Sequence, residues 1–68
     1  MAVVKVIELL GEGEQGWEDV SRKVVEEATR TLRGVTSVWI KDFQATVEND
    51  RVKNFRVTAK VSFVMERT

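Results

Sequence analysis

The sequence predicts an α+β fold of order β-α-β-β, a three-stranded antiparallel sheet with strand order first, last, middle, wrapped on one helix. Three observations predict it. One stretch of helical periodicity stands between a β-branched opening and a hairpin; glycines punctuate both ends of that stretch; and the last segment alternates apolar and polar residues without a break.

The opening Val3 to Leu10, VVKVIELL, is rich in β-branched residues and ends at Gly11, which suits a strand. Val4, Val6 and Leu10 fall on one face with Glu8, and Val3, Ile7 and Leu9 on the other with Lys5. A strand apolar on both faces is buried on both. Gly11 to Gly16, GEGEQG, is expected to be a flexible acidic turn. It lacks the GK[ST] ending of a phosphate loop, and Glu12 and Glu14 repel phosphate while favouring a helix start.

From about Glu14 to Arg33, Trp17, Val20, Val24, Ala28 and Leu32 recur every three or four residues, with Val25 widening the stripe. Glu18 with Arg22, Asp19 with Lys23, and Glu26 with Arg30 are spaced to pair on the exposed face. Gly34 closes the helix in the left-handed conformation. Two strands follow, about Val35 to Val47 and Arg51 to Glu66, joined by Glu48-Asn49-Asp50.

A helical crossover followed by a hairpin yields an all-antiparallel sheet only if the last strand lies in the middle. One helix covers one face. With Val38 and Ile40 turned to the helix, regular alternation points Trp39, Lys41, Phe43, Ala45 and Val47 away from it. So large an apolar stripe calls for partner chains, and a bulge in the middle strand would change which residues belong to it.

The length of 68 residues allows a single domain, 1–68, with a marginal core, and there is no Cys and no His to staple it. Association is left, so the expected partner is the chain itself. Hydrophobic residues at 43% and charged residues at 32% are a globular balance. Eleven basic and eleven acidic residues cancel, which gives no field for nucleic-acid backbones. No apolar run approaches the roughly 20 residues of a membrane span, and the opening Met-Ala-Val-Val-Lys is unlike a secretory signal, so a cytoplasmic protein without membrane contact is expected.

Without Cys or His, nucleophile-and-imidazole catalysis is excluded, and Ser21, Ser37 and Ser62 have no evident base, so no enzyme is expected. Glu8, Asp42, Glu48 and Asp50 lack the D-x-D-x-D-G spacing of a calcium loop and suit a plain surface role. The constellation of interest is Ser37, Trp39 and Arg56, expected near one another on the sheet face away from the helix. An indole and a guanidinium stack on a planar ligand or hold an anion. The simpler alternative, and the preferred one on these residues alone, packs Trp39 in a subunit interface and pairs Arg56 with a carboxylate.

The segments VVKVIELLG, TLRGV and NFRVTAKVSFVME, in this order and spacing around an acidic Gly turn and helix, resemble the dodecins, small flavin-binding proteins that assemble as hollow shells of twelve chains. The resemblance spans almost the whole chain. It implies the β-α-β-β fold, a homododecamer, and a role in storing or buffering a small cofactor, flavin as FMN or riboflavin, without turning it over. In flavin-binding members the ring stacks on a Trp early in the middle strand and meets a Gln that follows an aromatic in the last strand. Those positions here are Ser37 and Arg56, with the aromatic kept as Phe55. Trp39 lies two residues beyond, on the same face and about 7 Å along the strand. Dodecin-like proteins without the flavin Trp are described as cation-binding, and this chain resembles them in its Arg, so the alternative is a structural or calcium-binding shell that takes no flavin.

Overall fold

A computed structural model describes residues 1–67, with side chains through Met65. Strand β1 spans Ala2–Gly13, helix α1 Trp17–Thr31, strand β2 Val35–Glu48 and strand β3 Arg51–Arg67. The sheet order is β1-β3-β2, both pairings antiparallel, as the crossover argument requires.

Strand β1 runs three residues past its expected end, because Gly11, Glu12 and Gly13 stay paired with Val57, Arg56 and Phe55. Gly11 therefore does not stop the strand. Its lack of a Cβ lets the helix approach: a Cβ there would overlap the Val24 side chain and reach Val20 at 3.0 Å. The flexible turn shrinks to Glu14, Gln15 and Gly16, and Gly16 enters the helix at φ 127°. Acidic Glu18 and Asp19 in the first turn and basic Arg30 in the last complement the helix dipole.

Two of the three expected helix pairs form, Glu18 with Arg22 at 3.5 Å and Asp19 with Lys23 at 3.3 Å. Arg30 turns to Glu27, one residue nearer, instead of Glu26. Gly34 adopts φ 74°, and its carbonyl accepts the Val64 N–H at 3.0 Å, tying the chain reversal to β3. The β2–β3 hairpin closes on Asn49 and Asp50, both at positive φ, the two-residue turn that matches strand twist.

The core is one-sided. Val20, Val24 and Ala28 of the helix lie buried with Val57, Ala59 and Val61 of the sheet, and Leu9, Val38, Ile40 and Phe55 pack around this cluster. The chain is a slab 53 × 18 × 14 Å. It exposes 5110 Å², against about 4,400 Å² for a compact monomer of its mass.

The middle strand departs from regular alternation. Register shifts fall between Val35 and Ser37, Ile40 and Asp42, and Thr46 and Val47. The second reverses the facing, so that Phe43 pairs with Val57 and Ala45 with Phe55 on the helix side. The expected far-face stripe is corrected accordingly: Trp39, Lys41 and Val47 keep to the far side, while Phe43 and Ala45 cross. A cause lies at the helix start. Trp17 donates its indole N–H to the Gln44 carbonyl at 2.8 Å and meets Phe43 and Phe55 edge-on, with ring centroids at 6.1 and 4.9 Å. Among the described residues no helix is long and apolar enough to cross a membrane.

Candidate functional site

The sheet face away from the helix is built from cross-strand rows, because residues paired in register point the same way. Taken from β1 through β3 to β2, these rows are Val6, Ser62, Ser37; Glu8, Lys60, Trp39; Leu10, Thr58, Asp42; and Glu12, Arg56, Gln44. Among the described residues nothing covers them, and Val6, Leu10 and Trp39 are 54%, 55% and 60% exposed.

Ser37 and Trp39 stand in adjacent rows. The Ser37 hydroxyl donates to that of Ser62 at 3.0 Å, which occupies it with another hydroxyl and offers no base for nucleophilic chemistry. The Lys60 ammonium sits 5.4 Å from the centre of the Trp39 ring, an arrangement worth about 0.5–1 kcal/mol at an exposed site. The bulged Lys41 reaches Glu8 across the face at 3.6 Å.

Arg56 is on the same face but apart from the other two. Its row lies four residues of β3 from that of Trp39, about 13 Å, and six from that of Ser37, about 20 Å. The three residues therefore share a surface without forming one contact cluster within the chain, which corrects the expectation that they adjoin. Arg56 does meet a carboxylate: Glu12 stands 3.2 Å from its Nε, while the other Glu12 oxygen accepts from the Asn54 amide at 2.9 Å. Nε is buried without a hydrogen bond, so Glu12 attracts it from off the N–H direction. The other guanidinium nitrogens have no partner among the described residues.

Sequence reasoning missed Gln44. Regular alternation from Trp39 puts position 44 on the helix side, and only the shift between Ile40 and Asp42 delivers it opposite Arg56. Nothing in the local residue types marks that shift.

A groove of about 510 Å³ opens between β1 and the helix, lined by Leu9, Glu12, Glu14, Asp19, Lys23 and Glu27 among others. Acidic groups outnumber the single Lys there, so it disfavours anions, and Trp39 does not line it. Among the described residues no three Asp or Glu side chains converge as cation ligands do.

The family model described as Dodecin matches residues 3–66. A dodecin from Thermus thermophilus is 32% identical over 66 residues, covering 97% of this chain and 96% of the relative. A crystal structure of a Thermus thermophilus protein has a TM-score of 0.86 and 31% identity, with 100% of each chain covered. Two further structures share the fold at lower identity. The dodecin from Streptomyces coelicolor has a TM-score of 0.86 at 24% identity, covering 98% of this chain and 96% of its own. The calcium dodecin from Mycobacterium tuberculosis has 0.81 at 23%, covering 97% and 94%.

Proposed function

This chain belongs to the dodecin family, and on that premise we propose that it forms a non-enzymatic homododecameric hollow shell, each chain one domain over residues 1–68, that binds and stores flavin. Ser37, Trp39 and Arg56 are the ligand-binding residues of this proposal, with Trp39 stacking on the ring and Arg56, about 13 Å along the strand, binding polar groups. The observation that carries it is the uncovered sheet face, where a 60% exposed indole stands among apolar and basic side chains that the chain's own helix does not reach. Burying one large aromatic contributes on the order of 2–3 kcal/mol, which favours a ligand or another copy on that face.

Flavin titration with light scattering tests it. Quenching of riboflavin or FMN fluorescence by a species of about twelve chain masses is the expected result. A colourless protein that quenches neither sinks the flavin part, and scattering at the mass of one chain at micromolar concentration sinks the shell. Trp39→Ala is expected to weaken flavin about two- to tenfold, the worth of an aromatic stack, with the assembly intact; loss of assembly instead makes Trp39 an interface residue.

A second proposal is a structural or calcium-binding shell without flavin. It is favoured by Ser37 where flavin-binding members carry the stacking Trp, and by the name of the Mycobacterium tuberculosis neighbour, a calcium dodecin. Calcium that leaves both melting temperature and assembled mass unchanged removes its cation form.

A further inference from the structure

Two of the register shifts in β2 cancel each other. At the first, the extra unpaired residue is Lys41 on β2; at the second, between Thr46 and Val47, it is Lys53 on β3. Residues 42–46 are therefore displaced by one position against β3, while Ser37 to Ile40 on one side and Val47 and Glu48 on the other share a single register. The chain can adopt an undisplaced pairing of 42–46 without moving the Asn49-Asp50 turn or the strand below Ile40. That pairing sets Asp42 opposite Val57, Phe43 opposite Arg56, Gln44 opposite Phe55 and Ala45 opposite Asn54, and it turns every side chain of the segment to the other face. Among the described residues β2 is an edge strand paired with β3 alone, so the change breaks no second ladder.

Specific contacts hold the displaced pairing. The Trp17 indole N–H reaches the Gln44 carbonyl at 2.8 Å. Carbonyl directions alternate along a strand as side chains do, so reversing the segment carries that carbonyl to the opposite edge and breaks the bond. At the second bulge the Asn54 N–H donates to the Thr46 hydroxyl at 3.0 Å. Both bulged lysines meet carboxylates, Lys41 with Glu8 at 3.6 Å and Lys53 with Glu48 at 2.9 Å. Asp42 works from the other direction: undisplaced, its carboxylate faces the fully enclosed Val57, and burying an unpaired charge is costly.

We infer that residues 42–46 are a two-register element latched by Trp17. Releasing the latch turns Phe43 and Ala45 onto the far face and withdraws Asp42, Gln44 and Thr46 from it. The stretch changes from polar to apolar while the helix, β1 and both ends of β2 stay in place. Whatever covers the far face, a second copy included, then favours one register by its differential contacts with the two. The device operates whether or not flavin binds.

The chain has no Cys, so cysteine pairs report the register without background, and directly opposed residues of an antiparallel pair stand within disulfide reach. Gln44→Cys with Arg56→Cys brings two thiols together in the displaced pairing, and Ala45→Cys with Asn54→Cys does so in the undisplaced one. On the full chain under oxidised glutathione the 44–56 pair is expected to close fast and the 45–54 pair slowly. Trp17→Phe keeps a ring and removes the N–H; it is expected to speed closure of the 45–54 pair by about two- to tenfold, the worth of one hydrogen bond, with the mass in solution unchanged. An unchanged rate overturns the latch. A 45–54 pair that closes as fast as the 44–56 pair beside an intact Trp17 overturns the register preference. If Trp17→Phe fails to fold, Asp42→Val decides, since it removes the buried-charge penalty and leaves Trp17 in place. It is expected to speed the 45–54 pair by on the order of tenfold, and no increase overturns the two-register element.

Discussion

Alternate residues of β3 live in two environments. Val57, Ala59 and Val61 are fully enclosed between sheet and helix, whereas Arg56, Thr58, Lys60 and Ser62 on the other face keep part of their surface open. The same backbone serves both, so the difference lies in what covers each face. A single 15-residue helix encloses one side, and the other carries Val6, Leu10 and Trp39 in the open. The helix side supplies the fold of the single chain, and the far side is left for whatever meets it.

The largest effect is expected on the enclosed side. Val57 lies in the buried cluster with Val20 and Val24 of the helix, and Val57→Ala removes two methyl groups where the side chain is fully enclosed. A loss of about 2–3 kcal/mol is expected, transfer plus cavity. It is read as a fall in the denaturant midpoint without change in slope. A loss below about 0.5 kcal/mol would mean that the two faces are less different than their exposure implies.

Next is Gly11, where the comparison sharpens to a single atom. Adding a methyl with Gly11→Ala forces Val24 and Val20 outward or lifts the helix, an overpacking cost of about 1–3 kcal/mol. Here the usual gain of Ala over Gly in an ordered chain is outweighed. A variant as stable as wild type would show that the helix does not seat against β1 at this point. Pairing Gly11→Ala with Val24→Ala is expected to recover part of the loss, since the second change vacates the space that the first needs.

On the open side the expected effect changes in kind. Leu10 is 55% exposed in the chain, so Leu10→Ser costs the lone chain little. If the face is covered by other copies, the change costs each assembled chain about 1.5–2 kcal/mol of lost burial. Melting should then depend on concentration more steeply than in wild type, whereas Val57→Ala lowers the melt at every concentration. An equal shift at all concentrations would place Leu10 outside any interface.

These two faces were not equally legible in the sequence. The unbroken alternation from Phe55 to Met65 and the helical stripe of Val20, Val24 and Ala28 state which residues meet, because burial imposes periods of 2 and 3.6 on them. The strand order follows from chain connectivity. By contrast, the shift between Ile40 and Asp42 leaves no mark in residue type, and its consequences, Phe43 on the helix side and Gln44 beside Arg56, reverse what regular pleating predicts. Gly11 misled for a related reason: a glycine that ends a strand and one that admits a helix look alike in one dimension. Ser37, Trp39 and Arg56 were all placed on the correct face, yet the row spacing that separates Arg56 from the others depends on register, which alternation alone leaves free.

The smallest expected effect is electrostatic and belongs to the outer surface of the helix. There the hydrogen bond from Arg30, and then its charge, hold the Glu27 carboxyl below the usual glutamate range, while Glu27 holds the Arg30 guanidinium above its own. A carboxyl whose folded pKa lies below its unfolded one adds stability above the unfolded value and loses it as pH falls through the folded value. Glu27→Gln should therefore leave melting at neutral pH nearly unchanged, because an exposed pair contributes little. It should slightly flatten the decline of melting temperature on the acid side of the ordinary glutamate pKa. Val57→Ala should leave that slope alone, since it changes packing and no proton equilibrium. An acid limb that steepened in Glu27→Gln would have the wrong sign for a depressed carboxyl and would remove the pair from the account of the helix.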